Sequence, residues 1–238
     1  MRATESEFRN RFWFIGLVFF AGGLCFTFDH VNTIAAVVYW AEKRSLWTED
    51  SLTRVVLSVA ALLLLAAALV RSWATAYLRS DVVHDANLHS ERLVADGPYR
   101  RVRNPLYLGN LLLAIGMGAL FSRVGFLMVV IGMIVVVLRL IGREEFELAK
   151  TQGESYQEYL RRVPKLLPSL RARVLASGAK PRWGDGFRGE LFFWGFFVAM
   201  VALCITLRIF YFWIFLGASF AVYFLQGYLR RPKAESPK

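Results

Sequence analysis

The feature that most limits what this chain can become is a succession of apolar runs as long as a bilayer is thick. Phe12 to Phe28, Leu52 to Val70 (extendable to Tyr77), Leu106 to Phe121 and Val124 to Ile141 are four of them. Leu191 to Leu229 is a fifth, interrupted by one charge, Arg208. A helix needs about 20 mostly apolar residues to cross a hydrocarbon core of about 30 Å. In lipid every backbone polar group must be satisfied internally, so spanning segments are helices or closed barrels. The runs show no period-2 alternation, which selects helices. One helix from Leu191 to Leu229 would overshoot the core at 1.5 Å per residue, so the spacing predicts a break at Thr206-Leu207-Arg208. The expectation is an all-α polytopic transmembrane protein of about six spans.

Lysine and arginine placement predicts the orientation. With the N-terminus inside, cytoplasmic segments collect 23 of the 29 Lys and Arg. Outer segments hold five, and Arg139 lies within the fourth run. Both termini are then cytoplasmic, in a bacterial inner membrane or an endoplasmic reticulum. The net charge of +11 follows from basic loops beside anionic headgroups. No base-reading motif accompanies it, so no nucleic-acid partner is expected. Cys25 and Cys204 lie inside apolar runs, where thiols are ordinarily inert. No small-residue cleavage site follows the first run, which reads as a retained span.

Two long polar segments, Arg79 to Asn104 and Arg143 to Glu190, interrupt the spans on the cytoplasmic side. The outer stretch Val31 to Trp40 is too short to cross and is expected in the interface, anchored by Trp40 and Trp47. The organisation expected is residues 1–78 as N-terminal transmembrane helices and 79–170 as a core of loop, helical hairpin and cytoplasmic helical cap. Residues 171–238 follow as loop, C-terminal hairpin and tail.

Two constellations exceed what a helix start or a charged helix end requires. The first is Gly97-Pro98-Tyr99-Arg100-Arg101-Val102-Arg103-Asn104-Pro105-Leu106-Tyr107-Leu108-Gly109. Asn104 reads as an N-cap and Pro105 as the first helical residue. A helix N-terminus there offers free N–H groups to an anionic ligand, and Gly109 leaves room against the backbone. The second is Gly142-Arg143-Glu144-Glu145-Phe146-Glu147-Leu148, then Gly153, Tyr156, Tyr159, Arg162-Val163-Pro164 and Pro168. Gly153 should break the helix, and Tyr156, Tyr159 and Val163 should share a face beyond it. Arg139, inside an apolar run, calls for a partner; Glu144 or Glu145 is one turn away.

Taken together, the Gly-Pro-Tyr-x-x-x-Arg-Asn-Pro-x-Tyr-x-Gly string, the hairpin, and the Glu-Glu-x-x-Leu string with its downstream tyrosines resemble the integral membrane methyltransferases. These are the isoprenylcysteine carboxyl methyltransferases and phospholipid N-methyltransferases, and the resemblance covers about Arg79 to Pro168. It implies a cofactor, S-adenosyl-L-methionine, held by Gly97, Tyr99, Arg103, Asn104, Pro105, Tyr107, Gly109, Glu144, Glu145, Tyr156 and Tyr159. It implies catalytic roles for Arg103, Asn104 and Glu145. The partners implied are membrane lipid and a lipidic or small hydrophobic methyl acceptor: a prenylcysteine-type carboxylate, a lipid amine or a thiol. Asn104 stands where the family often has His and cannot take up a proton near neutral pH. Two alternatives stay open: an NADPH-dependent sterol-reductase-like enzyme, and a non-catalytic membrane binding or assembly protein retaining the fold. No metal is expected, since the spacing of His84 and His89, with Asp81 and Asp85 nearby, does not fit one helical face.

Overall fold

The computed structural model describes residues 2–44, 46–78 and 95–229, with side chains to 226. Asp81, His84, Asp85 and His89 lie outside the described residues, as do most of the first cytoplasmic segment and the tail. All the described regular structure is helical. In chain order the helices are α1 (Glu5–Arg9), α2 (Arg11–Leu24, extended by a 3-10 turn at Cys25–Thr27), α3 (Thr33–Glu42) and α4 (Glu49–Tyr77). After a 3-10 turn at Gly97–Arg100 come α5 (Pro105–Gly118), α6 (Arg123–Arg162), α7 (Trp183–Gly189), α8 (Leu191–Thr206) and α9 (Ile209–Leu229).

Every apolar run is therefore a helix, and the fold is that of a helical membrane protein. Among the described residues, α4, α6 and α9 are long and apolar enough to cross a membrane. The α7–α8 pair, bent by 63°, makes a fourth if it counts as one span. Helices α2 and α5 are apolar but only 14 residues each, about 21 Å at 1.5 Å per residue. Length alone thus supports three or four spans, short of the six expected from run counting. The break between α8 and α9 falls where the charge placed it: Leu207 adopts φ 53°, ψ 21° at the end of α8. Gly153 is non-helical inside α6, at φ 58° and ψ −134°, a conformation that needs glycine.

Helix α4 is the spine, packed by α3, α5, α7 and α8, with α9 folded back on α8. Its small residues Ala60, Ala67, Ala68 and Ala74 are buried and let neighbouring backbones approach, the usual solution where lipid removes the hydrophobic drive. A Cβ on Gly125 of α6 would lie 2.6 Å from the Gly22 carbonyl of α2, so that crossing also depends on glycine. Opposite the cap, Ser122 caps α6 through its Oγ, 3.1 Å from the Gly125 amide. Asp29 accepts from Arg123 at 2.9 Å and from the Val124 amide at 2.9 Å. The Arg123 guanidinium and then that amide hold the Asp29 carboxyl down at about 2.

Arg139 does not pair with Glu144 or Glu145. Its partner is Glu7 of α1, at 2.7 Å, and its carbonyl accepts from the Ala3 amide at 2.9 Å. The N-terminal helix, built on a Thr4–Glu7 capping box, thus lies against α6. Side chains one turn further along α6 point elsewhere, which residue spacing alone does not reveal.

Candidate active site

The cap forms around the buried Tyr156, Tyr159 and Val163, against which the half-buried Ala95, Leu148 and Val174 pack. The segment after α6 runs back beside the first motif. Arg103 N–H donates to the Pro164 carbonyl at 2.9 Å, Ser169 N–H to Arg101 at 2.9 Å, and Arg173 N–H to Arg100 at 2.8 Å. Tyr159 donates its hydroxyl to the Tyr99 carbonyl at 2.8 Å. Asp96, also buried, accepts from the Ser177 amide at 2.9 Å, the Ala179 amide at 3.0 Å and the Ser177 hydroxyl. Burial acts to raise its pKa, but these bonds outweigh burial and hold it below the usual carboxylate range.

Between this cap and the helices lies a cavity of about 540 Å³, within the roughly 300–1,000 Å³ usual for small-molecule sites. Eight of the eleven positions implied by the resemblance line it. Tyr99, Arg103, Asn104, Pro105 and Tyr107 come from the first motif, and Glu144, Tyr156 and Tyr159 from the second. Residues some 40 apart in sequence therefore face one space. Tyr107 and Glu144 both line its wall.

The other three positions have different surroundings. Gly97, at φ +57°, packs on the Tyr77 ring, which a Cβ would meet at 2.4 Å. Glu145 is tied to Arg103 and Lys165, each at 3.5 Å, and accepts from Asn104 Nδ2 at 3.3 Å. Gly109 leaves no room for a ligand: a Cβ there would stand 2.4 Å from Arg71 Cγ. The space expected beside it is filled by a side chain of the neighbouring spine. Asn104 precedes Pro105, the first residue of α5, but makes no side-chain cap hydrogen bond. Its Nδ2 donates instead to Glu145 and, at 3.1 Å, to the Lys165 carbonyl. It joins the hairpin to the cap rather than capping the helix.

Two buried atoms at this end have no hydrogen-bond partner among the described residues, Tyr99 Oη and Arg103 Nε. Buried polar groups are satisfied in the great majority of cases, so an orphaned hydroxyl on a cavity wall fits a site built to hold a polar ligand. Burial pushes the Tyr99 phenol well above its ordinary pKa, with Tyr159 and Glu144 adding to the effect. It stays a neutral donor at physiological pH.

The opposite half of the cavity went unrecognised in the sequence. It carries Arg71 of α4, Asn110 of α5 and Glu190 at the start of α8, only 8%, 9% and 1% exposed. Arg71 Nε and Nη2 donate to Glu190 at 2.6 and 3.1 Å, and Nη1 donates to the Leu106 carbonyl at 3.1 Å and to Asn110 Oδ1 at 2.9 Å. Thr75 donates to Glu190 at 2.7 Å, and the guanidinium lies 4.1 Å from the Phe193 ring centre. Aromatic residues from both ends of the chain, Phe8, Phe12, Phe192, Phe196 and Tyr223 among them, complete the wall. The signal was available: Arg71, Asn110 and Glu190 all sit inside or directly beside apolar runs, where ionisable and amide groups carry function by default.

Residues 54–155 match the sequence profile of the phospholipid methyltransferase family. That segment holds the spine from Arg54 onward, the hairpin, and both motifs as far as the residue before Tyr156. The nickel-cobalt-cadmium resistance protein NccN of Alcaligenes xylosoxydans xylosoxydans is 25% identical over 126 residues, 53% of this chain and 56% of that protein. The chain thus spans little more than half the length of this curated relative. No solved structure matches it.

Proposed function

We propose that this chain, whose residues 54–155 carry the phospholipid methyltransferase pattern of a membrane methyltransferase family, is an S-adenosylmethionine-dependent enzyme. Its acceptor is lipidic or a small hydrophobic molecule: a lipid amine, a prenylcysteine-type carboxylate or a thiol. The observation that carries the reading is the convergence of both motifs on one cavity whose wall buries a Tyr99 hydroxyl with no hydrogen-bond partner among the described residues. The arrangement supports a cytoplasmic cap end, with cofactor entering from water and acceptor from lipid.

The residues present fit the cofactor. S-adenosylmethionine supplies an activated methyl group on a sulfonium, so the protein's task is positioning and exclusion of water. Tyr107 and Tyr156 offer aromatic faces of the kind that attract a sulfonium. The Tyr99 hydroxyl would donate a hydrogen bond to the bound molecule, and Glu144, which lines the same wall, would accept from its hydroxyl or amino groups. Glu145 works one layer back: it holds Arg103 and Asn104 in place and ties them to Lys165. Asn104 donates to two protein oxygens and takes no part in proton transfer.

Purified protein in lipid nanodiscs is expected to bind S-adenosylmethionine, and Arg103→Ala to weaken that binding by at least about tenfold while leaving a folded protein, as befits loss of a charge-assisted contact. Absence of binding to the wild type, or preference for NADPH, would refute the proposal.

A further inference from the structure

The acceptor half of the cavity contains a fixed polar anchor inside an otherwise aromatic wall. Arg71 has five N–H donors, and four are committed: two to Glu190, one to the Leu106 carbonyl and one to Asn110 Oδ1. The last of these bonds fixes the orientation of the Asn110 amide. Its oxygen faces Arg71, so its Nδ2 is the polar end offered to the cavity that Asn110 lines. Asn110 is itself more than nine-tenths buried, and no protein acceptor satisfies Nδ2 among the described residues. Glu190 is more occluded still, and its carboxylate is already engaged by Arg71 and Thr75. A ligand entering this half therefore meets N–H donors, not the carboxylate.

We propose that Asn110 Nδ2, with the remaining Arg71 N–H, is a binding site for a head-group oxygen of the methyl acceptor. The ligand chemistry is an amphiphile bearing a carboxylate or phosphate oxygen, its apolar chain lying against Phe12, Phe192, Phe196 and Tyr223. The proposal rests on reading the cavity as a methyltransferase site but assigns residues and a chemistry that this reading leaves open. Arg71 and Asn110 lie inside the segment matched to the family, whereas Glu190 and Phe193 lie outside it, so the anchor joins that segment to the helices that follow it. Arg71 and Glu190 act through Asn110 and are positioning residues. A bound anion is not required to keep Arg71 in place, because Glu190 already does so.

The test uses the full-length protein in nanodiscs of neutral lipid, with empty nanodiscs as reference, and saturable binding of three probes of equal chain length: palmitate, hexadecyl phosphate and hexadecylamine. The wild type is expected to bind palmitate or hexadecyl phosphate about tenfold or more tightly than hexadecylamine, the scale of a charge-assisted hydrogen bond. Which of the two binds more tightly identifies the head group. Asn110→Asp keeps an oxygen for Arg71 and removes the donors, so it should abolish the preference while S-adenosylmethionine affinity changes less than about twofold. Asn110→Ser, which withdraws the donor from the cavity, should do the same and serves if the aspartate variant does not fold. Equal binding of the three probes, no protein-dependent binding, or an unchanged preference in a folded variant overturns the anchor. Oxygen-selective binding by a protein that fails to bind S-adenosylmethionine would refute the methyltransferase reading and leave the anchor standing.

Discussion

Replacing Glu190 by Gln should be among the most costly single substitutions in this protein, and the structure sets the scale. The carboxylate takes two bonds from Arg71 and one from Thr75, with 1% of its surface exposed. Gln preserves the volume but removes the counter-charge and turns an N–H group toward either Arg71 or Thr75. Opposite unit charges about 4 Å apart interact by about 4 kcal/mol at an effective dielectric of about 20. Breaking a buried pair from one side costs about 3–5 kcal/mol. Two effects reduce this in a membrane: interhelical polar contacts average only about 0.6 kcal/mol because the unfolded chain finds other partners, and an arginine near a helix end can reach the interface. Arg71 lies six residues before the end of α4, so its relief is real but short of complete. The net expectation is a loss of about 2–3 kcal/mol. The double variant Arg71→Met, Glu190→Met removes both charges together and should recover most of that loss, because apolar replacement of a whole buried pair is often neutral. Equilibrium unfolding by dodecyl sulfate in mixed micelles, followed by circular dichroism, measures both. A loss under about 1 kcal/mol for Glu190→Gln, or a double variant as unstable as the two singles combined, would refute the assignment of this pair as the tie between α4 and α8.

Tyr99→Phe separates ligand binding from folding. The hydroxyl has no hydrogen-bond partner among the described residues, so its removal should leave the thermal midpoint unchanged or raised, while S-adenosylmethionine affinity falls by about 3- to 10-fold, the worth of one neutral hydrogen bond; a lowered midpoint with unchanged affinity would show that the hydroxyl serves the fold. Acid stability should depend on Asp29. Its folded pKa of about 2 lies below the ordinary 3.8, so its contribution is present above about pH 4 and is lost as the pH falls toward 2. The difference in unfolding midpoint between wild type and Asp29→Asn should be constant above about pH 5 and shrink below about pH 4; a difference that persists undiminished at pH 2.5 would exclude the Arg123 and Val124 contacts as its cause.

Periodicity and apolar length were enough to read the helices, because each run had to satisfy its own backbone in lipid and the breaks at Leu207 and Gly153 carried a charge or a glycine to mark them. The tyrosine face beyond Gly153 was legible for the same reason, since Tyr156, Tyr159 and Val163 repeat at helical spacing. Partner choice was not. Glu144 and Glu145 are close to Arg139 in sequence, yet Glu7 reaches it from 132 residues away, because the direction a side chain leaves a helix depends on tertiary packing. Gly109 looked like ligand space for a similar reason: a glycine shows that something approaches closely, and only the packed neighbour shows that it is Arg71. Asn104 fits the statistics of a cap residue, but the returning strand of chain at Lys165 and the Glu145 carboxylate offered its amide better partners.

The cavity is built jointly by the segment matched to the family and by the chain on either side of it. The segment matched to the family supplies Tyr99, Tyr107 and the Arg103–Glu145 tie at the cap, and Tyr156 and Tyr159 follow directly after it. The other wall sets Arg71 and Asn110 of that segment against Phe8 and Phe12 before it and Glu190, Phe192, Phe196 and Tyr223 after it. Arg71 belongs to the segment matched to the family and Glu190 lies beyond it, so their ion pair joins the two. Helix α8 starts at Leu191, directly after Glu190, and the pair therefore fixes where the aromatic wall begins relative to the hairpin. Shifting that start by one residue would rotate Phe192 and Phe196 by about 100° around the helix and turn them out of the cavity. A hairpin that presents aromatic faces to a cavity shared with the cap needs a fixed register, and a buried bidentate charge pair supplies one because its geometry tolerates little slip.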